Sequence, residues 1–172
     1  TDASLFSINS ATKAFTGVAV MQLVQQGKAD LAAPIGQYLR GLPPAWQAVT
    51  VTQLLSHTSG LPDVLDQATG KLVGPQPDDV EAAWKAVQAL PVEAAPGQRY
   101  RYNQTNYVLL AQLIEQQAGM PYVAFIQRGQ FDVARMAHSG FGDAKDVVVN
   151  KASSYVLGNG GKGYRNVLED FP

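Results

Sequence analysis

Apolar residues crowd the stretch from Ala14 to Gln26, where Phe15, Val18, Ala19, Val20, Met21, Leu23 and Val24 leave Thr16, Gln22, Gln25 and Gln26 as the clearly polar members. The pattern predicts a largely buried helix closed by Gly27, with Ser10 in its first turn. The Pro-bearing segment from Ala33 to Pro44 reads as a surface connection with a short helix around Ile35 to Leu39. Thr50 followed by Gln53 is a capping box that starts a short helix through Leu54 and Leu55, ended by Gly60. From Pro62 to Pro77 two glycines and three prolines predict a long polar loop of the lid or binding kind. Asp78 with Glu81 repeats the capping signature ahead of Val80, Ala83, Trp84, Val87 and Leu90, a helix that Pro91 stops. Pro96-Gly97 makes a turn before Tyr100, Thr105 caps an apolar helix from Asn106 to Ala118 ended by Gly119, and Pro121 opens another through Phe125 and Ile126. Beyond these the pattern changes. Val147 to Val149, Ser153 to Leu157 and Tyr164 to Leu168, around the glycines between 158 and 163, suggest short strands or one hairpin.

Composition narrows the class. The chain has 172 residues, 46% of them hydrophobic and 16% charged, which is globular and enough for one domain with a core. Thirteen basic against fourteen acidic side chains leave a formal charge of −1 with no basic run, which argues against nucleic acid as a partner. No stretch approaches the apolar length of a membrane span. With no cysteine there are no disulfides or thiolate metal sites, and no other metal or cofactor motif stands out.

The candidate chemistry lies near the start. Residues three apart on a helix share a face with Cβ atoms about 5–6 Å apart, so Lys13 can direct its amine at the Ser10 hydroxyl. A serine is a weak nucleophile without a base in hydrogen-bond reach. Burial favours the neutral amine of a lysine, so Lys13 can act as that base. The helix N-terminus adds partial positive charge for a developing oxyanion, and the Ser10 N–H is a natural half of an oxyanion hole. His57 has no Gly-x-Ser-x-Gly elbow to serve, and Gly158-x-Gly160-x-x-Gly163 has no surrounding βαβ pattern, so it reads as a hairpin turn rather than a nucleotide loop.

Taken together, Ser10-x-x-Lys13, Leu54-Leu55-Ser56-His57-Thr58-Ser59-Gly60-Leu61 and Pro96-Gly97-x-x-Tyr100-x-Tyr102 resemble the penicillin-recognising serine hydrolases, the branch of class C β-lactamases, D-alanyl-D-alanine carboxypeptidases and related esterases. Phe15-Thr16-Gly17, Gly27 to Leu31 and Tyr107-x-Leu109-Leu110 extend the likeness over nearly the whole chain. The resemblance implies an α+β fold of the β-lactamase/DD-peptidase kind. Residues 1–172 would be a mostly helical internal portion of that domain, carrying the first two motifs and lacking most strands of the central antiparallel sheet, with the remainder outside this segment. It implies Ser10, Lys13 and Tyr102 as catalytic residues, with Lys13 or Tyr102 as the base, and Asn103 and Gln104 as substrate contacts. No cofactor and no metal are implied.

The family's second motif is Tyr-x-Asn, whereas this chain has Tyr102-Asn103-Gln104, whose extra methylene displaces the amide from its usual contact with a substrate carbonyl. His57 in the family braces the site. His138-Ser139-Gly140 imitates a third motif but comes soon after the second, and Met136-x-x-Ser139-x-Phe141 fits a surface turn better. The function implied is acyl transfer from an ester, a β-lactam or a D-Ala-D-Ala-type amide, with a small molecule or peptide as substrate, in a periplasmic or secreted protein. The rival is a non-catalytic relative that uses the same cleft to bind peptidoglycan-like peptides or a protein partner.

Overall fold

A computed structural model describes residues 3–74, 79–142, 146–157 and 164–167. A tight 3-10 turn, Asn9–Thr12, runs directly into helix α1, Lys13–Gln25. Helix α2, Val51–Leu55, begins with the expected box, in which the Thr50 hydroxyl accepts from the Gln53 N–H and the Gln53 side chain accepts from the Thr50 N–H. Helices α3, Val80–Gln88, α4, Thr105–Ala118, and α5, Tyr122–Ile126, follow, and α5 continues into a wide π-type turn, Gln127–Phe131. Gly119 closes α4 in the left-handed conformation at φ +66°.

The core forms around α4, which packs on α1, α2 and α5. Leu109, Leu110, Leu113 and Ile114 of α4 meet Ala19, Val20 and Leu23 of α1, Val51 and Leu54 of α2, and Ile126 beyond them. Each such aliphatic side chain, fully removed from water, contributes about 1.5–3 kcal/mol. Trp46, in the connection before α2, is buried and meets Trp84 of α3 edge-on at 5.8 Å, while Ala83 and Val87 turn α3 inward. Several links tie α1 to the α5 region: Thr16 shares a 2.7 Å hydrogen bond with the Tyr122 hydroxyl, Gln22 donates to the Gly129 carbonyl, Gln130 donates to the Phe15 carbonyl, and Phe131 stands edge-on to Phe15. Among the described residues no buried side-chain polar atom lacks a partner, and no helix is long and apolar enough to cross a membrane.

Several expectations shift. Helix α1 buries only one face: Thr16, Ala19, Val20 and Leu23 are inside, while Val18 and Met21 are 49% and 48% exposed. The segment from Pro62 is not simply a polar loop, because Leu61 to Val64 are buried and a small antiparallel hairpin follows, β1 Leu65–Asp66 with β2 Lys71–Leu72. The α3 cap is Asp79, whose carboxylate accepts from the Ala82 N–H; Asp78 lies outside the described residues. Thr105 enters α4 as its first residue, and its hydroxyl accepts from the Val64 N–H instead of capping. Pro121 stands one position before α5. Strands β3, Ser154–Leu157, and β4, Tyr164–Val167, pair antiparallel as the hairpin anticipated, and its glycine turn lies outside the described residues. A strand at Tyr164 removes the helix that a nucleotide loop needs there.

Candidate active site

Ser10 sits in the 3-10 turn, not in α1 itself, and this tightens the expected pairing. Side chains three apart in a 3-10 helix eclipse one another, so Lys13, the first residue of α1, stands directly over Ser10. Its Nζ lies 3.4 Å from Ser10 Oγ. The chain reaches this turn through Asn9 at φ +45°, a left-handed conformation that asparagine tolerates better than most residues. Ser10 is exposed and open to a reactant.

The second half of the site comes from the loop before α4. Tyr102 donates its hydroxyl proton to Ser10 Oγ at 2.8 Å. Gln104 places Oε1 2.6 Å from Lys13 Nζ and Nε2 3.4 Å from the Tyr102 oxygen. The Lys13 ammonium lies over two aromatic faces, 5.0 Å from the Tyr102 ring centre and 5.2 Å from that of Tyr107, in cation–π range of both. Hydroxyl, amine, phenol and amide thus form a connected cluster drawn from two segments about ninety residues apart.

A buried polar lattice fixes this loop against the segment after α2. Arg101 N–H donates to the His57 carbonyl at 2.8 Å and Asn103 N–H to His57 Nδ1 at 3.2 Å. Ser59 donates to Asn106 Oδ1 at 2.6 Å, and Gln104 N–H donates to the Asp63 carboxylate at 2.9 Å. The second Asp63 oxygen accepts from Gln67. On the far side Arg101 pairs with Glu93. In a low-dielectric interior a fully satisfied lattice of this kind rigidifies what it holds.

The electrostatics follow from these contacts. Burial is the largest single influence on the Tyr102 phenol and pushes its pKa up. Hydrogen bonds with Lys13, Ser10 and Gln104, together with the Lys13 charge, outweigh it and bring the phenol below its ordinary value. Tyr107 moves the other way, raised first by burial and then by its phenolic neighbours Tyr102 and Tyr100. His57 is lowered, first by burial and then by the Lys13 charge, against the pull of Asp63.

Of the residues singled out in the sequence, Ser10, Lys13, Tyr102 and Gln104 converge. Asn103 does not join them. Its side chain is 2% exposed, with Nδ2 donating to the Leu61 carbonyl at 2.6 Å and Oδ1 accepting from the Asn106 N–H, so both ends of the amide are spent inside the loop. His138 is exposed in the turn after Phe131, where Ser139 N–H bonds back to Met136 and Phe141 stacks near Phe131 and Tyr122. The residues that sequence reasoning missed are Asp63, Asn106 and Tyr107. A carboxylate between apolar Pro62 and Val64, and an asparagine inside the first turn of an apolar helix, were the available signals. Among the described residues no three His, Asp or Glu side chains gather as a metal cluster.

Comparisons with known proteins identify the chain's relatives and its fold. The PbpX protein of Bacillus subtilis strain 168, which carries a penicillin-binding designation, is 32% identical over 136 residues, covering 79% of this chain and 32% of its own length. The chain therefore spans about a third of that relative. A penicillin-binding protein from Bacillus halodurans superposes with TM-score 0.70 at 28% identity over 91% of this chain and 49% of that one. The D-amino acid amidase from Ochrobactrum anthropi SV3 reaches TM-score 0.79 at 27% identity, covering all of this chain and 49% of the amidase. The shared fold is the α+β fold of these hydrolases, of which the chain carries a helix-rich portion with few strands. The family model described as Beta-lactamase matches residues 1–166, and the chain belongs to the Beta-lactamase family.

Proposed function

We propose that this chain supplies the nucleophile and base of a serine hydrolase that works through an acyl-enzyme, with Ser10 as nucleophile, Tyr102 as base, Lys13 as the cation beside it and Gln104 as the amide that holds Lys13 and meets the substrate. The observation that carries this reading is the 2.8 Å contact between the Tyr102 and Ser10 oxygens, with Lys13 Nζ 3.4 Å from the same Oγ. Tyr102 is the nearer group and its phenol is lowered, whereas Lys13 is already committed to Gln104 at 2.6 Å.

Tyr102, which donates to Ser10 Oγ in the resting site, acts as base once it has lost that proton: as Ser10 Oγ bonds to the acyl carbon, its proton passes to the Tyr102 phenolate. That proton moves on to the leaving nitrogen or oxygen when the tetrahedral adduct collapses and the acyl–heteroatom bond breaks. A water then repeats the sequence: Tyr102 takes its proton as the water oxygen bonds to the acyl carbon, and returns it to Oγ as the free acid departs. The Ser10 N–H, in a first turn whose N–H groups have no partners within the helix, is aimed at the developing oxyanion. Gln104 Nε2, with only a long contact to Tyr102, is the donor left for a substrate carbonyl. The acyl donor is an ester, a β-lactam or a D-Ala-D-Ala-type amide. Penicillin-binding relatives and a D-amino acid amidase of similar fold support the amide and lactam members of that set, which go with a periplasmic or secreted protein.

The test is a fluorophosphonate or labelled penicillin applied to the full-length protein that contains this chain, followed by peptide mass spectrometry. A covalent adduct on Ser10, absent in Ser10→Ala along with hydrolysis, is the expected outcome. Hydrolysis that survives Ser10→Ala, with no adduct on the wild-type residue, overturns it. Binding of peptidoglycan-like peptides without any adduct favours the non-catalytic alternative.

A further inference from the structure

His57 grips the chain on both sides of Tyr102. Its backbone carbonyl accepts from Arg101 N–H at 2.8 Å and its ring Nδ1 accepts from Asn103 N–H at 3.2 Å, so the residues before and after the tyrosine are both tied to it. The imidazole also lies against the tyrosine itself, with ring centres 4.6 Å apart, and stacks on Tyr107 at 5.1 Å. His57 is 8% exposed and adopts φ +56°, a conformation in which its side chain and its carbonyl both reach the tyrosine loop. We propose that His57 is the positioning residue that holds Tyr102 on Ser10, and that it does so only as the neutral ring with its proton on Nε2, so that acid unlatches the tyrosine. This inference rests on the acyl-transfer reading above.

The argument is one of donors and acceptors. Nδ1 faces two donors, the Asn103 N–H and the Asn106 Nδ2 at 3.3 Å. A proton added at Nδ1 would point at both. The Asn106 amide could rotate to present its oxygen, at the expense of the Ser59 hydroxyl that now donates to it. The Asn103 donor is backbone and cannot rotate without moving the peptide bond that follows Tyr102. Charged and titratable groups face the ring from each packed element: Lys13 from α1, its Nζ over the two tyrosine rings that pack on the imidazole; Asp63 from the adjoining loop; Tyr100 and Tyr102 from the tyrosine loop; and Tyr107 from α4. Burial first and then Lys13 hold the imidazole below its ordinary pKa, against the opposing pulls of Asp63 and the Asn103 backbone, so the clamp is closed at neutral pH and opens on acidification.

The experiment uses the full-length protein and two readouts. The first is the pH profile of Ser10 labelling by a fluorophosphonate. With Tyr102 as base, labelling falls by one proton's worth with each unit of acidification, and below the His57 midpoint the slope steepens to two. His57→Asn keeps an acceptor where Nδ1 stood and a side chain that tolerates positive φ, but it does not titrate. It should retain neutral-pH labelling within roughly tenfold, the worth of the lost ring contacts, and lose the extra acid step. The same steepening in His57→Asn overturns the proposal. The second readout is the nuclear magnetic resonance titration of wild-type His57, which requires no activity and no variant. The Arg101 and Asn103 amides and the Tyr102 ring should shift with the imidazole, and resonances that ignore its protonation overturn the clamp. If no adduct ever forms on Ser10 the hydrolase reading fails, and these spectra alone support or overturn the clamp.

Discussion

Whether Tyr102 carries the proton is decided by how its phenol responds to Lys13. The Lys13 charge and hydrogen bond work against a burial effect that alone would raise the phenol. In Lys13→Gln the burial stays and the cation goes, so the phenol should move upward and the alkaline rise in Ser10 labelling should follow it to higher pH. Labelling at neutral pH should drop with the fraction of Tyr102 that is ionised, by no more than the roughly 10²–10⁴ that a general base contributes. Tyrosinate absorbance in the ultraviolet, compared between Lys13→Gln and Lys13→Arg, separates charge from shape: arginine keeps the cation and should shift the midpoint less. An unmoved midpoint in Lys13→Gln removes Lys13 from this role. At this scale the sequence was legible where chemistry depends on local spacing. Ser10 and Lys13 are three apart and meet because a single turn brings them together. Gln104 and Asn103 were indistinguishable as amides. Only the direction of the chain entering α4 sends one to Lys13 and the other to the Leu61 carbonyl, and that direction is set by Asp63 and His57, far off in sequence.

Gly60 shows the same dependence among the elements. It stands at φ +71°, and a Cβ there would fall 2.1 Å from the Ala94 carbonyl oxygen, backbone against backbone. Its own carbonyl accepts from the Glu93 N–H at 2.8 Å, and Glu93 pairs with Arg101, which hydrogen-bonds to His57. Gly60→Ala should therefore cost roughly 3 kcal/mol or more, strain plus an unavoidable clash. The check is the denaturant midpoint at unchanged slope, and a shift below about 1 kcal/mol would mean that the segment at Ala94 yields freely. Of the elements, the capping box at Thr50, the helices and the final hairpin could be read because their signals are local. The Asp79 cap and the entry of Thr105 into α4 differed by one residue, since neighbouring side chains of similar type compete for the same N–H groups and tertiary contacts choose between them. The stretch from Pro62 was misread because its burial comes from α4 and the tyrosine loop, not from any periodicity of its own.

At the scale of the whole molecule, α1 poses a question that its own composition raises. Residues 16, 19, 20 and 23 face the core, yet Ala14, Gly17, Val18 and Met21 line an open groove on the other side. A helix with apolar side chains on both faces fits best where both are covered, which is why the sequence predicted fuller burial than this chain gives. The relative PbpX is about three times as long as the part of it that this chain matches, and a protein of that length would have chain enough to lie on that face. Gly17 discriminates between a covered and an open face. Here an added Cβ would meet nothing within 4 Å, and replacing a helical glycine with alanine gains about 0.5–1 kcal/mol through backbone entropy alone. In the 172-residue chain Gly17→Ala should therefore raise stability by that amount. In a longer protein that contains this chain, if another layer packs against the glycine, the methyl meets it at close range, and the same substitution should lose stability and slow Ser10 labelling, because the Ser10 turn runs directly into α1. Thermal unfolding of the two pairs of proteins measures the difference directly. An equal gain in both would mean that the face remains open to solvent in the longer protein.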